Sequence, residues 1–171
     1  VTAQVSNIST DQIALLTTKQ VQALSNNQVA SLTSDQLNSM ESDDIVALTT
    51  AQIRALTTAQ LTDLSSTQVA VMETADIAAL TSAQAKVLST EAVAALTTDQ
   101  IKALTSAALN ALTSDQLAAI EVDDLAAMTT AQINTLTTEQ LVLLSTDQMV
   151  ALTTQQVQAL SSTQVAALTS E

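Results

Sequence analysis

Leu, Ile or Met stands at every eighth residue from Ile8 to Leu168, and each of these up to Leu160 is followed five places later by a second apolar residue. With the first of the pair as position 1, residues 48–63 read LTTAQIRALTTAQLTD, two octads that differ at few places. Complete octads run on to the one beginning at Leu160 without an insertion or deletion. A fixed short period over the whole chain is the mark of a repeat architecture, so residues 1–171 read as a single uninterrupted array. Val1 falls at position 2 of an octad and Glu171 at position 4 of another, and neither end shows a distinct capping repeat. The expectation is therefore a mature product or a piece of a longer array.

The polar positions say what each octad forms. Position 2 is Ser or Thr in most octads and position 5 is usually Gln, as in Thr49 with Gln52, Thr57 with Gln60 and Thr97 with Gln100. This is the spacing of a capping box. The hydroxyl accepts from the backbone N–H three residues on, and the Gln side chain reaches back to the N–H of the cap residue. Positions 1 and 6 then fall where a hydrophobic staple would sit, pairing Leu48 with Ile53, Leu56 with Leu61 and Leu96 with Ile101, before the next octad begins at Leu104. Each octad is predicted to be one short capped helix.

Two other folds compete. In a continuous helix the apolar stripe would advance about 80° per octad and wind around the axis, leaving no face to bury. A β-solenoid suits Thr and Val, but its corners favour Gly, Asn or Pro, and the chain has no Gly or Pro. An isolated octad cannot fold. Burying its two large apolar side chains contributes roughly 1.5–3 kcal/mol each, whereas ordering each backbone residue costs about 1–2 kcal/mol. Neighbouring octads must stack, and the expected fold is an all-α solenoid.

Positions 1, 6 and the mostly Ala position 8 (Ala47, Ala55, Ala103, Ala111) are the predicted core, with positions 3, 4 and 7 facing solvent. Position 2 becomes Glu at Glu41, Glu73 and Glu121, and position 5 becomes Asp in the same octads, at Asp44, Asp76 and Asp124. These octads are separated by multiples of 16 residues, as are Arg54, Lys86 and Lys102 at position 7. That pattern suggests two octads per coil. At roughly 8–10 Å per coil the chain would be a rod on the order of 100 Å long.

Composition narrows the function. The chain lacks Cys, His and aromatic residues and carries a formal charge of −13. With no His, no thiol and no Gly-rich loop, there is no base for the many hydroxyls and no phosphate cradle, so catalysis is not expected. The negative charge disfavours nucleic acid, which needs clustered Lys and Arg. Ser, Thr, Gln or Asp interrupts every apolar run, so no membrane insertion is expected either. The acidic octads raise the possibility of metal. Glu41, Asp43 and Asp44 in MESDDIVA, Glu121, Asp123 and Asp124 in IEVDDLAA, and Glu73 with Asp76 in METADIAA offer the oxygen ligands that Ca²⁺ takes. Acidic side chains in the first turn also simply favour a helix dipole, and no EF-hand loop is present. The expectation is no cofactor, with Ca²⁺ as the one ion these carboxylates would suit.

LTTAQIRAL and LTTQQVQAL resemble the opening phrase of TAL-effector repeats, but the longer unit, the Gly and the base-reading loop of those repeats are missing, which leaves a shared way of starting a helix. Over its whole length the chain is similar to the ALTTxQIxAL octapeptide arrays of very large bacterial secreted or surface proteins of adhesion type. That resemblance implies an extracellular or cell-surface stalk, spacer or filament whose ends associate. The alternative is a binding module that uses the solenoid surface for a protein partner or for Ca-dependent adhesion. Its rows at positions 3, 4 and 7 vary irregularly, as at Lys19, Asp35, Ala51 and Thr67, and supply no aromatic anchor.

Overall fold

A computed structural model describes residues 7–168. Val1 and Glu171 lie outside that range. Among the described residues the chain forms twenty α-helices, from α1 (Thr10–Ile13) to α20 (Ser162–Leu168), each four to seven residues long, and no strand. The octad is the helix. It begins at position 3, after an extended N-cap at position 2 such as Thr49, with φ −73° and ψ 154°.

How a helix stops is as informative as how it starts. In an uninterrupted helix the N–H of Ser25 would donate to the carbonyl four residues back, at Val21. It donates instead to Gln28 Oε1, at 2.9 Å. The box that opens one helix thus closes the one before it. Position 1 bridges the two, often extended as at Leu48 (φ −61°, ψ 132°), and no described residue takes a positive φ. A chain without Gly can therefore turn at every octad, because no left-handed residue is needed.

The helices wind into a solenoid in which each packs on the third helix along the chain. For example, α3 (Asn26–Ala30) packs against α6 (Thr50–Ala55), α6 against α9 (Thr74–Ala79), and α9 against α12 (Thr98–Ala103). Hydrogen bonds between coils join residues 25 to 31 apart, so a coil takes between three and four octads. The expected coil of two octads, 16 residues, does not form. Each octad turns its position 1 and position 6 side chains toward a shared axis, and enclosing that axis with straight sides one short helix long needs more than two sides. The multiples of 16 that separate the acidic octads have no counterpart in this packing. The chain makes about six coils, and at roughly 8–10 Å per coil the rod is about 50–60 Å long, not 100 Å.

The core is one continuous cluster from Ile13 to Leu152. It holds Leu48, Ile53, Leu56, Leu61, Leu96, Ile101 and Leu104, all buried. Position 8 differs from the expectation. Ala47 is buried, but Ala55, Ala103 and Ala111 are only half-buried, and the larger Leu15 at the same position is 82% exposed. The space beside the axis is taken by position 5, whose Gln side chains are buried from Gln36 onward. Where both partners are small, with Ala85 at position 6 and Ala108 at position 5, α10 (Ser82–Lys86) and α13 (Ser106–Ala111) pack tightly.

If the octad is the structural unit, removing one whole octad, residues 81–88, leaves a cooperatively folding helical protein, whereas removing residues 81–84 shifts every later side chain out of register and abolishes cooperative unfolding. Circular dichroism during urea titration distinguishes the two. Equal damage from both deletions would mean that the repeat unit is larger than eight residues.

Candidate functional site

The residue that connects the coils is the glutamine at position 5. In the octad Thr49–Leu56, Thr49 Oγ1 accepts from the Gln52 N–H at 3.3 Å, and Gln52 Oε1 accepts from the Thr49 N–H at 2.7 Å. Thr57 with Gln60 and Thr97 with Gln100 make the same reciprocal pair. This uses only the oxygen of the amide. The nitrogen points away from its own octad, and Gln52 Nε2 donates to the carbonyls of Val21 at 2.9 Å and Leu24 at 2.7 Å, 31 and 28 residues earlier. The Val21 carbonyl is the one that the Ser25 N–H would have served in an uninterrupted helix, and it also accepts from the Leu24 N–H at 3.1 Å.

This arrangement repeats as a ladder. Gln60 reaches Val29 and Leu32, Gln100 reaches Val69 and Met72, and Gln132 reaches Ile101 and Leu104, up to Gln164 on Ile133 and Leu136. No buried side-chain nitrogen or oxygen among the described residues lacks a partner. An amide is the group that suits this place, because it offers an acceptor and two donors on one planar head. The sequence pattern pointed to the capping half of this role and missed the inter-coil half. The available signal was the insistence on Gln rather than Glu at position 5. Glu would serve a capping box equally well, but when ionised it cannot donate.

Five octads depart from the ladder. Ala92 and Ala108 keep the hydroxyl cap from Ser89 and Thr105 and lose the return bond. In the three acidic octads, Glu41, Glu73 and Glu121 make no side-chain cap, while Asp44, Asp76 and Asp124 turn inward and are buried. Aspartate is one methylene shorter than glutamine, and as a carboxylate it has no proton to give the carbonyls ahead of it. It finds donors instead. Asp124 accepts from the Thr98 hydroxyl one coil back, and Asp76 accepts from the Thr50 hydroxyl and from the Glu73 backbone N–H. Burial still dominates at Asp76 and pushes its carboxyl above the ordinary aspartate value, against the pull of those two hydrogen bonds. Burial does the same at Asp44, helped by the nearby Glu41 and Asp43 charges and opposed by the backbone bond at Glu41.

The inward turn splits the expected metal ligands. Glu41 and Asp43 are exposed while Asp44 is buried, and Glu121 and Asp123 are exposed while Asp124 is buried. Among the described residues no three carboxylates converge on a point where an ion could sit. A shallow depression of about 500 Å³ does lie over the third acidic octad, between Ala118–Asp123 and Ser145, Asp147 and Gln148. No described helix is long and apolar enough to cross a membrane.

The model of the ALTTAQ repeat matches residues 37–72, 69–106 and 117–154, which together exceed half of the chain. The chain belongs to the ALTTAQ-repeat family. No curated protein matches it. The phrase that names the family is thus a mechanical unit in this array: Leu enters the core, the first Thr caps, and Gln both closes the cap and ties the octad to the previous coil.

Two predictions separate the roles of the amide. Gln84→Ala should cost about 2–3 kcal/mol, the sum of a lost cap and of the inter-coil hydrogen bonds to the buried Ile53 and Leu56 carbonyls. Gln12→Ala should cost about 1 kcal/mol or less, because it removes the cap alone. Equal losses in denaturant titration would refute the ladder. For Asp76 the folded value lies above the unfolded 3.8, so its contribution to stability is fully present below that value and is lost as pH rises through the raised folded value. Asp76→Gln should therefore stabilise the array at neutral pH by about 1–2 kcal/mol, and the gap to wild type should narrow on acidification. A gap that widens in acid would contradict the assignment.

Proposed function

We propose that this chain is a structural element with no catalytic role, a stiff rod that spaces or links other parts of an assembly outside the cell. The observation that carries this reading is the amide ladder, which ties every coil beyond the first to its predecessor along one continuous core. In such an array each coil is held by its neighbours, and stiffness grows from repetition. The outer surface supports the same reading. The outward positions 4 and 7 vary freely, position 3 is nearly always Ser or Thr, and none of the three carries an aromatic side chain, while the surplus of acidic residues keeps such rods apart in solution. Likeness to octapeptide arrays of large bacterial surface proteins supports an extracellular or cell-surface setting.

Negative-stain electron microscopy of the purified chain, with and without millimolar calcium, tests this. Straight rods with a unit length of about 50–60 Å, unchanged by calcium, are expected. Compact or flexible particles would overturn the structural reading, and calcium-dependent clustering would favour adhesion through the acidic octads.

A further inference from the structure

The octad hides a longer pattern. Because each helix packs on the third one along, the helices stand in three columns on the rod. One column holds α4 (Ser34–Asn38), α7 (Thr58–Asp63), α10, α13, α16 (Thr130–Thr135) and α19 (Thr154–Ala159), each packed on the next. Its position 7 side chains are Asn38, Thr62, Lys86, Asn110, Asn134 and Gln158, all exposed and all able to hydrogen-bond. In the column that follows it around the coil, position 7 is Val or Ala at every octad from Val46 to Ala166.

Charge is also divided by column. In the hydrogen-bonding column, octads 33–40, 57–64 and 81–88 carry Asp35, Asp63 and Lys86 as their charged residues. Octads 105–112, 129–136 and 153–160 read TSAALNAL, TTAQINTL and TTQQVQAL and carry no charge. The apolar column sets Asp43, Glu91, Asp115 and Glu139, all exposed, at position 4, and the third column holds the acidic octads of Glu73 and Glu121. On a chain of formal charge −13, two columns repel a second copy and the hydrogen-bonding one does not.

We infer that two copies of this chain lie side by side and antiparallel, joined along the column of Asn38 to Gln158. Resting on the structural reading above, this names a second copy as the partner of the rod. An amide or hydroxyl both donates and accepts, so a row of them is complementary to itself. The coil spacing is the same in both copies, which keeps the two rows in step. Parallel copies would set Asp35, Asp63 and Lys86 each against its own like charge. Antiparallel copies set Lys86 beside Asn110, Thr62 beside Asn134 and Asn38 beside Gln158, so the charged half meets the uncharged half. Six helices about 9 Å long and roughly 8–10 Å apart offer on the order of 400–550 Å² per copy. The total of about 800–1,100 Å² is at the small end of specific interfaces, which makes the pairing reversible. The same patch serves both copies, so the contact closes at two rods.

Sedimentation equilibrium of the full chain and charged variants tests this. Wild type should pass from one to two chain masses as concentration rises. Asn134→Asp with Gln158→Asp would face Asp63 and Asp35 of the partner and should abolish pairing. Gln158→Asp alone should weaken it while sparing the bond from Asn134 to the Ala159 carbonyl. Asn110→Asp would face Lys86 of the second copy and should tighten pairing, whereas in a parallel pair it would face itself and loosen it. Ala94→Asp with Ala118→Asp adds the same charge to the apolar column and should leave pairing as in wild type. Circular dichroism checks that each variant remains helical. Wild type that stays monomeric into the millimolar range, loosening by Asn110→Asp, or loss of pairing through Ala94→Asp with Ala118→Asp would each overturn the inference. Single rods of the expected length under the electron microscope, with no dimer in solution, would do so while leaving the structural reading intact, whereas the absence of rods would remove both.

Discussion

A chain of helices only one or two turns long faces a hydrogen-bond problem at each end of each helix, and one amide per octad addresses both. Four N–H groups and four carbonyls at the ends of a helix have no partner within it. In helices this short, that is most of the backbone. The glutamine oxygen takes an N–H at the start of its own helix, and its nitrogen supplies carbonyls where another helix has ended a coil earlier. Local closure and long-range attachment therefore rest on the same side chain. A buried amide with only one of these sets of partners would carry a penalty. The register between coils is thus set by hydrogen bonding as well as by the less directional packing of leucines.

That division of labour leaves the rest of the octad free. Positions 1 and 6 need only be apolar and of moderate size, which is why Met40, Met72 and Met128 stand in for Leu in the core. Positions 4 and 7 face mainly outward and hold almost anything. Among the described residues one ion pair lies on the surface, Lys102 with Asp99 at 4.0 Å and well exposed, and it adds little. The array is held from within.

What could be read from the sequence follows the range of each interaction. The caps, the staple and the burial of Leu48, Ile53, Leu56 and Leu61 are decided within eight residues, and eight residues of pattern contain them. The coil length is another matter. It is a sum over several linkers such as Leu48 and Leu56, and a small change in the angle at each, multiplied around the coil, separates a two-octad turn from one of three to four. The second role of Gln52 lay out of reach for the same reason, because its acceptors are in another coil. In the acidic octads the sequence shows the paired change of Glu73 and Asp76, but only the fold shows that one side chain turns outward and the other inward.

The coil length also determines how the rod responds when pulled along its axis. The amide hydrogen bonds join each coil to the one before it, and a coil with a neighbour on one side only is held by fewer of them, so detachment begins at such a coil and proceeds inward. Each coil that peels away frees a loop of about 28 residues, enough to span roughly 90–100 Å when drawn out, where it had occupied about 8–10 Å of rod. At each step that fails only the released coil lengthens, about tenfold, while the coils behind the break keep their shape. It would absorb a sudden tug as extension, one coil at a time, before any covalent bond felt the strain.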